Sequence, residues 1–189
     1  MANDVEIWLG GAGADFLRKI GVRSGDRVLD FGCSSGHYSI PAAQVVGEKG
    51  KVYALDKESK ELRRLREKAK EKELSNIETY ITAGELKVDL PDQSVNVVLV
   101  YDVLHYMEKR EEIFAEFDRV LKKDGLLSVY PKHYKDDFPL SNLAQLSLEE
   151  IIAEIERGGF SLRKKFFERL IHDESYNRGT VLNFSLGST

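Results

Sequence analysis

Apolar and polar positions alternate between two rhythms along this chain. Arg27–Phe31 is a short apolar strand, and a helix is expected from His37 to about Val46. After the turn Gly47-Gly50, Lys51–Leu55 reads as a second strand. Ser59 to Leu74 follows with Leu62, Leu65, Ala69 and Leu74 at helical spacing and charges elsewhere. Ile77–Thr82 is a third strand, and the β-branched run Val95–Tyr101 has the continuous apolar character of a central strand covered on both faces. Lys109 to Leu121 places Ile113, Phe114, Phe117, Val120 and Leu121 on one helical face, with Gly125 as its expected stop. Leu126–Tyr130 is a fifth strand.

The segment 131–146 is irregular and polar. Ser147-Leu148-Glu149-Glu150 then forms a capping box before Ile151, Ile152 and Ile155, and Gly158-Gly159 closes that helix. Two strand-like runs, Leu162–Ile171 and Thr180–Leu186, flank a hairpin connection at 173–179. Strands alternating with helices predict an α/β, doubly wound, mostly parallel sheet of seven strands whose last strand inserts antiparallel. Ligands of such sheets bind beyond the carboxyl ends of the strands. Asp30, Asp56, the Ala83-Gly84-Glu85 turn and Tyr101-Asp102 all fall at such ends.

Composition narrows the field. At 189 residues the chain is most simply one domain, residues 1–189, with 1–20 as an N-terminal arm. Apolar residues at 42% and charged residues at 32% describe a globular protein. The formal charge of −4 argues against nucleic acid as a partner. A single cysteine, Cys33, excludes an intramolecular disulfide and a Cys-rich metal site, so no metal is expected. No apolar run is long enough to cross a bilayer, and the acidic, glycine-rich start is unlike a signal peptide. These features point to a soluble, cytoplasmic protein; oligomeric state is not legible.

Candidate chemistry concentrates at Asp30-Phe31-Gly32-Cys33-Ser34-Ser35-Gly36. Small residues let a ligand approach the backbone, and the following helix start offers N–H groups. Asp30 would repel a phosphate, however, and suits a ligand presenting an amino group or hydroxyls. A nicotinamide-dependent oxidoreductase is disfavoured on that ground and for lack of G-x-G-x-x-G. Cys33 reads as a small filler, since no cation visibly activates it as a nucleophile.

Five segments in order then resemble the class I S-adenosylmethionine-dependent methyltransferases, in particular the small-molecule, ubiquinone/menaquinone-type branch. They are Val28–His37, Asp56, Leu90–Val98, Asp102–Tyr106 and Leu121–Leu127. Ser34 stands where the family's glycine motif often has its second glycine. The resemblance implies a Rossmann-like fold, S-adenosylmethionine as cofactor and a small-molecule acceptor. It implies that Asp30 holds the methionine amino group and Asp56 the ribose hydroxyls. Further cofactor contacts are implied for Phe31, Gly32, Cys33, Ser34, Gly36 and Tyr38 around the turn, and for Lys57 beside Asp56. Gly84 or Glu85 would read the adenine, and Tyr101, Asp102, Val103 and His105 follow the fourth strand.

His105 and His133 are candidate general bases for a hydroxyl acceptor, although His105 reads first as a group that packs on the cofactor or satisfies a backbone group. Tyr38, Tyr101, Tyr106, Tyr130, His133 and Tyr134 could line a substrate pocket, and 131–146 would shape it. Methyl transfer needs alignment more than a triad or metal cluster. A cofactor-binding regulator without activity is the alternative from another class.

Overall fold

The computed structural model describes residues 2–82 and 87–187. Seven strands form one sheet in the order β3-β2-β1-β4-β5-β7-β6. They are β1 Arg27–Phe31, β2 Lys51–Asp56, β3 Ile77–Ile81, β4 Val95–Tyr101, β5 Leu121–Tyr130, β6 Phe160–His172 and β7 Ser175–Leu186. The chain divides into two compact units, Met1–Gly84 with Arg169–Arg178, and Glu85–Glu168 with Gly179–Thr189.

In the first unit β3, β2 and β1 pair in parallel, with Asp30 opposite Ala54 and Asp56 opposite Ile81. The register sets the exits of β1 and β2 side by side. Helix α1 (Asp4–Ile7) opens with an Asn3–Glu6 capping box, which satisfies two backbone donors reciprocally. It passes through a widened turn, Trp8–Ala12, into α2 (Gly13–Ile20). Trp8 is 1% exposed, its indole N–H donates to the carbonyl of His37 at 2.6 Å, and its ring packs near Phe16, Tyr38 and Tyr176. The N-terminal arm is therefore part of this unit's core. Helix α3 (Ser39–Val46) packs on β1 and β2 and α4 (Ser59–Glu71) on β2 and β3. Leu62, Leu65 and Ala69 form the buried face of α4, as the spacing requires.

In the second unit β4 is parallel to β5, and β5 is antiparallel to β7. Six of the seven residues of β4 are buried, which is why its pattern is continuous rather than alternating. Helix α5 (Arg110–Val120) buries Ile113, Phe114, Phe117 and Val120. It ends earlier than the pattern suggests. Leu121 is already extended at φ −70°, ψ 138°, so Lys122 and Lys123 belong to β5 and Gly125 does not stop the helix. Gly125 answers a different need: a Cβ there would sit 2.2 Å from Leu121 Cδ2. Helix α6 (Leu148–Arg157) has the expected capping box, Ser147 with Glu150.

The terminal hairpin also differs. Its connection is only Asp173-Glu174, both left-handed at φ 47° and 65°, the geometry of a tight two-residue turn that matches strand twist. The strands continue through the polar stretch expected to be loop, because ladder hydrogen bonds outweigh weak local propensity there.

Candidate functional site

In the first unit the site is the turn after β1. Its backbone is stitched to the end of β2: the N–H groups of Gly32 and Cys33 both donate to the carbonyl of Leu55 at 2.9 Å. The Ser34 N–H donates to Asp56 Oδ2 at 2.7 Å, and Glu58 N–H to Asp56 Oδ1 at 2.9 Å. The turn's own N–H groups at Gly32, Cys33 and Ser34 are thus engaged within the protein. Asp56 is the peg on which the turn hangs. A carboxylate has about four acceptor sites, so two remain for ligand hydroxyls.

Ser34 adopts φ 47°, the conformation for which its family position often carries glycine; serine tolerates it at a small steric cost. Gly32 and Gly36 are also left-handed, at φ 77° and 88°. Gly36 is required by packing, since a Cβ would lie 2.2 Å from Leu65 Cδ1 of α4. Lys68, also on α4, donates to Ser35 O at 3.2 Å and Ser35 Oγ at 3.0 Å and holds the far side of the turn.

Asp30 is not the open carboxylate expected at a strand exit. It is the fourth of five residues in β1 and 2% exposed. The Ser39 hydroxyl donates to its Oδ2 at 2.5 Å. Burial, opposed by Ser39 and assisted by the Asp56 charge, pushes its pKa from 3.8 up to about 7. A buried carboxylate whose donors, the Ser39 hydroxyl and backbone N–H, are both neutral is a site at which a cationic amino group is electrostatically favoured.

Other candidates of this unit divide clearly. Cys33 is buried and burial pushes its thiol pKa up, so it is an inert filler. Tyr38 is core: 8% exposed, its hydroxyl donates to Ile171 O at 2.9 Å. Phe31 ends β1 half-buried and Lys57 is exposed. His37 is neutral near pH 7, because burial, with the Lys68 charge adding to it, lowers its pKa to about 4. Gly84 and Glu85 lie outside the described residues.

In the second unit the residues after β4 and β5 converge. Asp102 follows β4 and its N–H donates to Tyr130 O at 2.9 Å, tying the two strand ends together. His105 lies in a 3-10 turn, Leu104–Tyr106, and His133 three residues beyond β5. Their rings are 4.5 Å apart between centroids at 71°. Asp102 Oδ1 is 3.4 Å from His133 Nε2 and 3.8 Å from His105 Nδ1. His133 Nδ1 is 2.9 Å from the Phe138 carbonyl.

Tyr101 and Tyr130 are buried; the Tyr101 hydroxyl meets Ser128 Oγ at 2.8 Å, and Ser128 bonds Asn183. Val103 and Tyr134 are half-buried. The segment 131–146 carries Tyr106's neighbours in character: Tyr106, Phe138 and Leu140 are exposed at 64%, 76% and 43%. It is anchored by Arg110, which forks onto Glu154 at 2.5 and 3.0 Å and reaches Asn142 Oδ1 at 2.8 Å. Ser39, Lys68 and Arg110 were missed by sequence reasoning: Lys68 and Arg110 act on partners 33 and 44 residues away, and Ser39 reaches Asp30 only because the turn folds α3 back on β1.

A family model described as a methyltransferase domain matches residues 22–170. An uncharacterized methyltransferase of Schizosaccharomyces pombe is 28% identical over 172 residues, covering 82% of this chain and 61% of that protein. The demethylmenaquinone methyltransferase of Geobacillus stearothermophilus is 30% identical over 112 residues, 59% of this chain and 47% of that protein. The chain thus spans about half to three fifths of the length of these curated relatives. In fold it is similar to a SAM-dependent methyltransferase from Aquifex aeolicus, with TM-score 0.76 and 24% identity over 92% of this chain and 89% of that one. The chain belongs to the methyltransferase-domain family.

Proposed function

We propose that this chain transfers a methyl group from S-adenosylmethionine to a small, apolar or aromatic acceptor. The observation that carries this reading is Asp30, a buried carboxylate with a pKa near 7 beside a glycine turn. It fits the methionine ammonium and would meet a phosphate with repulsion. Asp56 keeps acceptor capacity for the ribose hydroxyls while holding the turn through Ser34 N–H. S-adenosylmethionine supplies a methyl carbon already activated on a sulfonium, so the protein mainly has to align the acceptor and exclude water.

The acceptor class is supported by the exposed apolar rim of Tyr106, Phe138 and Leu140 and by likeness to an enzyme named for demethylmenaquinone. The charge of −4 disfavours nucleic acid. For a hydroxyl acceptor, His105 and His133 are the groups we read as candidates to take the proton. No helix among the described residues is long and apolar enough to cross a membrane, which supports a cytoplasmic location.

Calorimetric titration with S-adenosylmethionine and with its demethylated product tests the first step. Binding of both in the micromolar range, weakened at least about tenfold in Asp56→Ala, is expected. Absence of heat and of thermal stabilisation with either ligand would refute the reading. Labelled-methyl transfer across a panel of hydroxylated quinols, phenols and amines then assigns the acceptor.

A further inference from the structure

We propose that Asp102, His105 and His133 form a binding site for one divalent transition-metal ion. The inference stands on the second unit alone and does not depend on the methyl-transfer reading. Asp102 Oδ1, His105 Nδ1 and His133 Nε2 all lie within 4.8 Å of one another, with Asp102 Oδ1 3.4 Å from the second nitrogen donor and 3.8 Å from the first. Bonds of about 2.0–2.2 Å to a common ion place its ligands roughly 3–4 Å apart. These donors are close to assembled before any ion arrives.

The tautomer points the same way. A carbonyl oxygen accepts and cannot donate, so the contact of His133 Nδ1 with Phe138 O at 2.9 Å puts the proton on Nδ1 of a neutral ring. Nε2 then presents its lone pair towards Asp102. At 3.4 Å from Asp102 Oδ1, that lone pair and the carboxylate oxygen are spaced for one ion to bind both. A histidine whose other nitrogen donates to a carbonyl is the arrangement that orients imidazole metal ligands.

The fold also pays for the placement. Asp102 and His133 are both left-handed, at φ 55° and 75°, and such residues persist where surrounding structure over-determines them. Lys132, buried beside His133, is paired with Asp137 at 2.5 Å, so its charge is neutralised by its own carboxylate. Two imidazoles and one carboxylate favour zinc, cobalt, nickel or ferrous iron over magnesium or calcium, which prefer all-oxygen sites. Three protein ligands leave positions open for water or an oxygen ligand.

Untagged, chelator-stripped full-length protein is titrated with Co²⁺ alone, with no methyl donor present. The expected result is visible ligand-field absorption saturating at one Co²⁺ per chain, displaced by Zn²⁺ and unaffected by excess Mg²⁺. Elemental analysis after desalting should find one zinc per chain. His133→Ala and Asp102→Asn should weaken binding at least about tenfold, while His172→Ala, which alters a histidine outside the cluster, should leave it unchanged. No Co²⁺ absorption by the wild type would overturn the proposal whether or not the variants fold. So would binding that survives both cluster substitutions, or that His172→Ala abolishes.

Discussion

Replacing Asp30 with Asn should make the protein more stable, and by more at alkaline pH than at acid pH. In the native state burial holds the carboxyl pKa at about 7, against 3.8 for the exposed group. Between about pH 4 and pH 7 the native state therefore retains a proton that the unfolded chain has released. Stability falls as pH rises across that window, and the loss is complete above about pH 7, where it amounts to roughly 4 kcal/mol. At pH 5 only about 2 kcal/mol of it has developed. An Asn side chain keeps an oxygen to accept from the Ser39 hydroxyl, now 2.5 Å from the carboxylate, and carries no ionisation cost.

Urea unfolding of both proteins at pH 5 and pH 8, with the slope unchanged, isolates this group because every other titration is common to the pair. The margin of Asp30→Asn over the wild type should widen by about 2–3 kcal/mol between the two pH values. Equal margins at pH 5 and pH 8, or a wild type that gains on the variant as pH rises, would refute the burial argument. The same residue should couple binding to protons. A cationic amino group beside Asp30 favours the charged carboxylate, so binding at pH 6 should release protons, seen as binding heats that change with the buffer.

Gly36→Ala should destabilise by about 2 kcal/mol or more, because the new methyl sits 2.2 Å from Leu65 Cδ1 at φ 88°; adding Leu65→Ala should cost less than the sum of the two, and strict additivity in urea melts would contradict the steric account. Arg110→Ala leaves Glu154, 14% exposed, without its fork, and should cost about 3 kcal/mol in chemical denaturation; a loss below about 0.5 kcal/mol would mean the pair behaves as a surface bridge. Cys33 should react with a thiol reagent only after unfolding, since burial raises its pKa; stoichiometric labelling of the native protein within minutes would show that the turn opens.

The sheet was legible because its signals are local. Apolar runs ending in Asp30 and Asp56, the face of α4 and the Ser147 capping box each declare themselves within one or two turns of chain. The glycine turn and the segments after it likewise declared the family, since their order survives in one dimension. Element ends were less legible. The stop of α5 at Val120, where Leu121 pairs with Val95 of β4, and the two-residue turn between β6 and β7 depend on strand pairing, which no local propensity encodes.

The character of the site residues was decided in three dimensions. By sequence alone Asp30 is a carboxylate at a strand exit; only burial against Ser39 moves its pKa to about 7. Gly36 is a turn former until α4 sets Leu65 against it. The histidines show the difference most clearly. Asp102 and His105 are three residues apart, but His133 lies on a separate segment, and parallel pairing of β4 with β5 brings it to them. The sequence determined which chemical groups were available and which strands would carry them. The tertiary structure decided which groups meet, because proximity between distant segments is set by strand register and packing rather than by spacing along the chain.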